Sequence, residues 1–221
     1  MLAAMISDAH VQGPDDPNLA RLTAFVRELD AELYLLGDIF QWWWGRRDAA
    51  FEAHRPLVDA IESHGRVHFV PGNHDFAAAA FFEDIGVRVA PRIDVRFGDR
   101  RFTLLHGDEA DSSLGYAFTK AALRGPVYRA AMRLAGPARA QRIGLRLAGA
   151  SYVGEPNQGL VEAQIALADD LLQHADVVVM GHSHAPGVHD RPAGTYVNLG
   201  DFLHHHTWLA VTQDGLELRT A

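Results

Sequence analysis

Val67-His68-Phe69-Val70-Pro71-Gly72-Asn73-His74-Asp75 joins a short apolar run to a glycine and a cluster of metal-type side chains. Four other places are built the same way: Met5-Ile6-Ser7-Asp8-Ala9-His10, Leu35-Leu36-Gly37-Asp38, Leu104-Leu105-His106-Gly107-Asp108 and Val179-Met180-Gly181-His182-Ser183-His184. A short apolar run closed by Gly, Pro, Asn or Asp reads as a buried strand. In an open α/β sheet the carboxyl ends of the strands form the crevice where ligands bind. Five such strands would deliver their Asp, Asn and His side chains to one place. Glycine beside them permits a tight turn and lets a metal and a phosphate come close to the backbone.

Working outward, the apolar runs are 2–6, 33–36, 67–70, 102–105, 177–180, 195–199 and 208–211. Between the first two, Leu19, Leu22, Phe25, Val26 and Leu29 recur at helical spacing after a Pro17-Asn18 start. Segments 51–63 and 159–174 have the same character. Such alternation predicts an α/β domain with a mostly parallel sheet, and Gln213-Asp214-Gly215 predicts a closing hairpin. Segment 116–150 breaks the alternation. It is rich in Ala, Leu and Arg, is interrupted by Gly125-Pro126 and Gly136-Pro137, and reads as two or three short helices inserted as a cap. With 221 residues against about 150 for a typical domain, the expectation is one domain over 1–221 with a helical cap at 113–150 inside it.

Composition narrows the chemistry. At 48% hydrophobic and 22% charged residues the chain has the make-up of a globular protein. The absence of cysteine excludes disulfides, a thiol nucleophile and thiolate metal sites, and fits a cytosolic protein. Any metal must therefore be held by His, Asp, Glu or Asn, and there are 13 histidines. No apolar run approaches the roughly 20 residues that span a bilayer. Residues 1–6 lack the basic start of a signal peptide, so none is expected. The net charge of −8 hides an asymmetry: 112–154 holds no acidic residue but carries Lys120, Arg124, Arg129, Arg133, Arg139, Arg142 and Arg146.

Each strand-end motif has an ordinary reading on its own. Asp8-x-His10 can be a turn beside a surface histidine, and Gly37-Asp38 is common turn chemistry. His182-x-His184 says more, because imidazoles two residues apart can meet in a bent loop. Five ends that all carry N or O donors, none of them lysine, point to a metal centre.

In this order, Asp8/His10, Gly37-Asp38, Gly72-Asn73-His74-Asp75, His106 and Gly181-His182-Ser183-His184, the chain resembles the calcineurin-like metallophosphoesterase superfamily over residues 8 to 184. The resemblance implies a four-layer α/β/β/α sandwich and two metal ions. One would be held by Asp8, His10 and His184, the other by Asn73, His106 and His182, with Asp38 bridging. Two divalent cations about 3.5 to 4 Å apart can generate a nucleophile at neutral pH and clamp a phosphate through in-line displacement. Hard donors suit manganese, the first expectation, as well as ferrous iron or zinc. His74 would approach the substrate, stabilising transition-state charge or protonating the leaving oxygen. Its ordinary alternative is a polar loop residue. Asp75 and Asp108 would orient imidazoles from behind.

A narrower resemblance rests on Leu36-Gly37-Asp38-Ile39-Phe40 with Trp43, Gly72-Asn73-x-Asp75-Phe76, His106-Gly107-Asp108 with Gly115-Tyr116, the basic helical insertion, and Gly181-His182-x-His184-x-Pro186. Together they are similar to the UDP-2,3-diacylglucosamine pyrophosphatases of lipid A synthesis. Those enzymes release UMP and a lipid monosaccharide phosphate at the cytoplasmic membrane face, and their cap receives the acyl chains. Trp43, Tyr116 and Arg124 are the substrate-contact candidates. In the cap, Leu123, Val127, Met132, Leu134, Ile143, Leu145 and Leu147 supply an apolar lining, and the arginines supply charge toward lipid headgroups or substrate phosphates. The plain alternative is a helical hairpin with a solvated basic face. Nucleic acid is disfavoured, because no aromatics interleave the arginines and the body is acidic.

The chain departs from the narrower family where its members commonly have Arg and it has His74. Its acidic cluster before Tyr116 is thinner, and 151–159 replaces a Lys-rich segment. Another nucleotide-linked or phosphodiester substrate is the alternative, and a non-catalytic scaffold of the same fold is a third reading that the retained ligands oppose. Trp42-Trp43-Trp44 cannot all face inward, so at least one should be exposed or cover a ligand, beside Asp38 or under the cap. His204-His205-His206 reads as a surface turn.

Overall fold

The computed structural model describes residues 1–43, 49–149 and 156–221. Trp44, the last cap residue Ala150 and 151–155 lie outside them. Among the described residues the first sheet has the order β11-β10-β1-β2-β3-β4. Its β1 (Ala3–Ile6), β2 (Glu32–Leu36), β3 (Val67–Val70) and β4 (Arg88–Val89) are parallel, while β10 (Thr207–Val211) and β11 (Leu216–Thr220) add antiparallel strands. The second sheet has the order β5-β6-β7-β9-β8. There β6 (Arg100–Leu105), β7 (Val177–Met180) and β9 (Gly194–Asn198) are parallel, flanked by antiparallel β5 (Arg92–Phe97) and β8 (Gly187–Arg191).

Strand alternation makes the layers. In β1, Ala3 and Met5, beside Leu36, Val70 and Leu209 of the same sheet, face the second sheet, where they meet Leu104 and Val179. Ala4 and Ile6 face the other way, into a cluster with Leu22 and Val26 of α1 (Pro17–Glu28) and Leu57 and Ile61 of α2 (Ala49–His64). Both faces of β1 and of β7 are thus buried, which is why these strands read as continuous apolar runs. α7 (Gln158–Leu171) covers the outer face of the second sheet, packing Ala168 near Val178, Met180 and Tyr196. α3 (Ala79–Asp84) adds Phe81 and Phe82 to the first cluster. Helix, sheet, sheet and helix form the four layers that the resemblance implies.

The seven expected runs are all strands, but the mostly parallel single sheet is two mixed sheets. β5 has no apolar run to announce it. Its Arg92-Ile93-Asp94-Val95-Arg96-Phe97 alternation suits an edge strand with one face on the core, Ile93 being buried and Arg92 and Asp94 exposed. Segment 116–150 forms α4 (Leu114–Arg124), α5 (Pro126–Ala135) and α6 (Pro137–Gly149), separated at Gly125-Pro126 and Gly136-Pro137 as expected. The Ser113 hydroxyl accepts from the Tyr116 N–H at 3.3 Å and caps α4.

His54 of α2 is fully buried, with Phe40 and Trp43 rings 4.8 and 5.9 Å from its own. Neither ring nitrogen has a hydrogen-bond partner among the described residues. Burial holds its pKa down at about 4. The unfolded chain, with an ordinary histidine, binds a proton below about pH 6.5 that the folded state refuses. Stability contributed by neutral His54 is therefore present above that pH and lost as pH falls toward the folded value. At pH 5 the loss is about 2 kcal/mol. His54→Leu should remove that share: urea unfolding at pH 7 and pH 5 should show a smaller acid loss in the variant. Equal losses would refute the assignment.

Candidate metal centre

The five strand ends converge at one edge of the sandwich. Asp8 and His10 follow β1, Asp38 follows β2, Asn73 and His74 follow β3, His106 follows β6, and His182 and His184 follow β7. Asp8, His10, Asp38, His182 and His184 all hold left-handed backbone, with φ between 47° and 67°. Asp and His tolerate this region better than most residues, and such strain persists where the surroundings fix it. Here it turns two side chains of the β1 loop and two of the β7 loop inward, each pair within a three-residue span, and Asp38 of the β2 loop beside them.

Three groups of donors form. In each of Asp8/His10/His184, His10/Asp38/His74 and Asp38/His106/His182, one ligand atom per residue lies within 4.8 Å of the others. Asp38 Oδ2 is the shared atom, 3.4 Å from His106 Nε2 and 4.0 Å from both His10 Nε2 and His74 Nε2. Asn73 Oδ1 lies 3.2 Å from His106 Nε2, and His184 Nε2 lies 3.2 Å from Asp8 Oδ1.

The donors are preset. His106 Nδ1 donates to the Leu36 carbonyl at 2.8 Å, which leaves the Nε2 lone pair for the cluster. The His182 N–H donates to Asp8 Oδ2 at 2.9 Å, and the His74 N–H to Asp38 Oδ1 at 2.8 Å. His182 Nε2 is buried with no hydrogen-bond partner among the described residues.

The electrostatics of the donors favour positive charge at their centre. Burial opposes ionisation of Asp8 and Asp38, but the charge of His184 holds Asp8 down at about 2, and that of His106 holds Asp38 well below the carboxylate range. Burial likewise opposes the His106 imidazolium, yet the Asp38 charge lifts it well above its ordinary value. Burial pulls His10 and His182 down to about 4. Two buried ionised carboxylates that draw His106 and His184 toward the charged form, beside His10 and His182 held neutral, mark a site that favours a cation on hard donors. The orphaned His182 Nε2 and the preset His106 tautomer fit a divalent metal.

Asp75 and Asp108 spend their oxygens elsewhere than on an imidazole. Asp75 accepts from the N–H groups of Gly72, Asp38, Ile39 and Phe40 at 2.9, 3.2, 2.8 and 3.4 Å. It clamps the loops after β2 and β3 together. Burial and the Asp38 charge push its carboxyl up to about 7, and the Gly72 and Ile39 N–H groups pull the other way. Asp108 accepts from the Tyr116 hydroxyl at 2.5 Å and Lys120 Nζ at 2.6 Å, fastening α4 to the His106 loop.

A cleft of about 390 Å³ opens above the cluster. His10, Asp38, Asn73, His74, His182 and His184 lie at its floor, and Trp42, Phe76, Tyr116, Lys120, Leu123, Arg124, Leu147 and Ala148 form its walls. Tyr116 and Arg124 line it as expected, the Arg124 guanidinium 4.7 Å above the Phe76 ring. Trp43 does not. It is fully buried against Phe40, Phe81 and Phe82 in the core of the first sheet, and the cleft indole is Trp42.

Several site residues escape the motif reading. Gln164 of α7 donates from one amide to the Gly107 and Gly181 carbonyls, at 3.3 and 3.0 Å, and so spaces the two loops of the second sheet. Asn198 donates to the Ser183 hydroxyl at 2.9 Å. Fully buried Asp201 accepts from the His204 N–H at 2.5 Å and from His205 Nδ1, with its Oδ2 3.9 Å from His184 Nδ1. Asp201 had a signal: Val197-Asn198-Leu199-Gly200-Asp201 repeats the pattern of a strand followed by Gly-Asp. Gln164 had none.

A two-sheet sandwich with strand-end Asp, Asn and His donors at the floor of an open cleft defines a metal-dependent phosphoesterase. A family model described as a calcineurin-like phosphoesterase superfamily domain matches residues 1–129, and the chain belongs to that superfamily. It is similar to the UDP-2,3-diacylglucosamine hydrolase of Salmonella agona strain SL483, 31% identical with 99% of this chain and 98% of the relative covered. It is 30% identical to the hydrolase of the same name from Salmonella arizonae at the same coverage. An archaeal phosphodiesterase structure shares the fold at TM-score 0.52 and 15% identity, covering all of both chains. Vps29 from Chaetomium thermophilum does so at TM-score 0.51 and 15% identity, over 99% of this chain and 88% of that one. The chain is a hydrolase of the phosphoesterase class, and its donor clusters provide for divalent metal ions. No helix among the described residues is long and apolar enough to cross a membrane.

Proposed function

We propose that the chain hydrolyses the pyrophosphate bond of UDP-2,3-diacylglucosamine, releasing UMP and the acylated sugar phosphate. The observation that carries this reading is the cleft itself. Its floor is the donor cluster, while Leu123, Leu147, Ala148 and Leu160 give it an apolar wall and Lys120 and Arg124 add cations. A nucleotide-linked lipid has a diphosphate for the first and last of these and acyl chains for the second. The name of the Salmonella relatives, UDP-2,3-diacylglucosamine hydrolase, similar over 99% of the chain, supports the same substrate.

In this reading Asp8, His10 and His184 hold one metal ion, Asn73, His106 and His182 the other, and Asp38 bridges them, with manganese the preferred ion. Such a pair supplies an activated water and neutralises phosphoryl oxygens during in-line attack. The protein does the rest. Lys120 and Arg124, one helical turn apart on α4, hold the second phosphate. Trp42 and Leu147 exclude water from the sugar side. His74 donates from Nδ1 to the Gln41 carbonyl at 3.0 Å, which fixes its ring with Nε2 toward the cleft. Protonated there, it hydrogen-bonds the reacting phosphate and passes a proton to the leaving oxygen. The bridging P–O bond would break as the water oxygen bonds to the attacked phosphorus, and the departing phosphate would keep the bridging oxygen and take the proton.

Helices α4 to α6 act in this reading as a cap inserted at 113–150 in a single domain. Leu114, Phe118, Val127 and Leu134, each at least 77% exposed, together with a segment free of acidic residues, suit the cytoplasmic face of the inner membrane.

UDP-2,3-diacylglucosamine in detergent with manganese should yield UMP. A chelator should stop the reaction and added manganese restore it. Absence of UMP beside brisk hydrolysis of a generic phosphodiester would assign the site to another nucleotide-linked or phosphodiester substrate.

A further inference from the structure

Gln41 and Trp42 lie between the metal centre and the cap, and each offers its carbonyl to one of them. The Gln41 carbonyl accepts from His74 Nδ1 at 3.0 Å. The next carbonyl, that of Trp42, accepts from Gln141 Nε2 of α6 at 2.8 Å. One turn along α6, Gly144 meets the Trp42 indole so closely that a Cβ would fall 1.9 Å from its Nε1. Tyr128 of α5 stands edge-on to the same indole, with ring centroids 6.5 Å apart. On the other side the Gln41 N–H is tied to the Val11 carbonyl at 3.0 Å.

We propose that Gln141 and Gly144 are positioning residues for His74. Through the Gln41-Trp42 strap, the cap helix sets the direction in which His74 Nε2 enters the cleft. A carbonyl oxygen only accepts, so His74 Nδ1 must carry the proton, and the Gln41 carbonyl fixes the ring angle beside the edge-on His10 ring, 4.9 Å away. That carbonyl can turn only with its peptide plane. The peptide before it is anchored by Val11 through the Gln41 N–H, and the peptide after it by Gln141 through the Trp42 carbonyl. Gln141 is 8% exposed and the indole 2% exposed, so water is a poor substitute for the lost amide. Gly144 is needed because any side chain would push α6 off the indole and carry Gln141 with it. The cap, in this account, does more than roof the cleft: it holds a proton donor on the floor in register. The inference rests on the role given to His74, and not on the identity of the substrate.

The test uses 2′,3′-cyclic AMP with manganese, a diester too small to need the cap wall and with an alkoxide leaving oxygen that needs the proton. Gln141→Met keeps length and volume without the donor. It should lower kcat about five- to tenfold and leave KM within about twofold. His74→Ala should lower kcat about a hundredfold. The double variant should be no slower than His74→Ala alone, because the amide acts only through the imidazole. Gly144→Ala should repeat the pattern, including silence in the His74→Ala background, and serves if Gln141→Met folds poorly. Losses that multiply in the double variants would overturn the inference, as would a Gln141→Met effect confined to KM. A His74→Ala enzyme of near wild-type rate would overturn it too, while UMP release from the lipid substrate would still stand as separate support for the proposed reaction.

Discussion

Asp38→Asn should lower kcat on any phosphodiester by about a thousandfold or more while leaving the fold intact. The substitution keeps the side-chain shape and so isolates the charge. Asp38 is 2% exposed, and its Oδ2 is the one atom near His10, His74 and His106 at once. Its other oxygen takes the His74 N–H. A neutral amide there leaves Asp8 as the only carboxylate within the donor clusters, so two cations would face one negative charge in a buried site. The second cation of the proposed pair should bind weakly or be lost, and metal analysis of the purified variant should find one ion or none against the two proposed for the parent. Circular dichroism should be unchanged, because the loop clamp belongs to Asp75 and not to Asp38. A variant within tenfold of the parent rate and carrying two ions would show that Asp38 does not bridge.

The donors were legible because each is announced locally: a strand short enough to be buried on both faces, then a turn residue, then Asp, Asn or His. Convergence needed only the rule that carboxyl ends of parallel strands face one crevice, and it holds even though the strands belong to two sheets. What surrounds the donors was not legible, for identifiable reasons. Trp42 and Trp43 are adjacent and chemically identical, and only the turn after β2 sends one into the core and the other to the cleft. Asp75 and Asp108 sit beside histidine-bearing motifs, which suggests imidazole partners. Their true partners are backbone N–H groups of Ile39 and Phe40 in one case and side chains of α4 in the other, and no spacing encodes these. Gln141 and Gln164 are single amides on helices, with nothing in the helix pattern to distinguish them from surface residues.

Gly72→Ala should cost several hundredfold in kcat/KM although it removes no ligand. The sequence suggests that glycine here makes room for a metal and a phosphate. The structure gives it a different neighbour: a Cβ at Gly72 would lie 2.1 Å from Asp38 Oδ1 and 2.5 Å from the Asp38 backbone nitrogen. Side-chain rotation could relieve the first contact but not the second, so the two loops must part. Parting them breaks the Asp75 clamp, which spans Gly72 on one side and Asp38, Ile39 and Phe40 on the other. It also withdraws the His74 N–H that orients Asp38. The methyl thus acts on the bridging carboxylate from behind, and the variant should resemble Asp38→Asn in metal content as well as in rate. It should differ in stability, because four buried N–H bonds are strained at once, and a loss of about 2 to 4 kcal/mol is expected. Urea unfolding and metal analysis of the same preparation separate the two effects. A folded Gly72→Ala protein with both metals and near-parental activity would mean that the loops after β2 and β3 can separate without moving Asp38, and the clamp would then have no part in holding the centre.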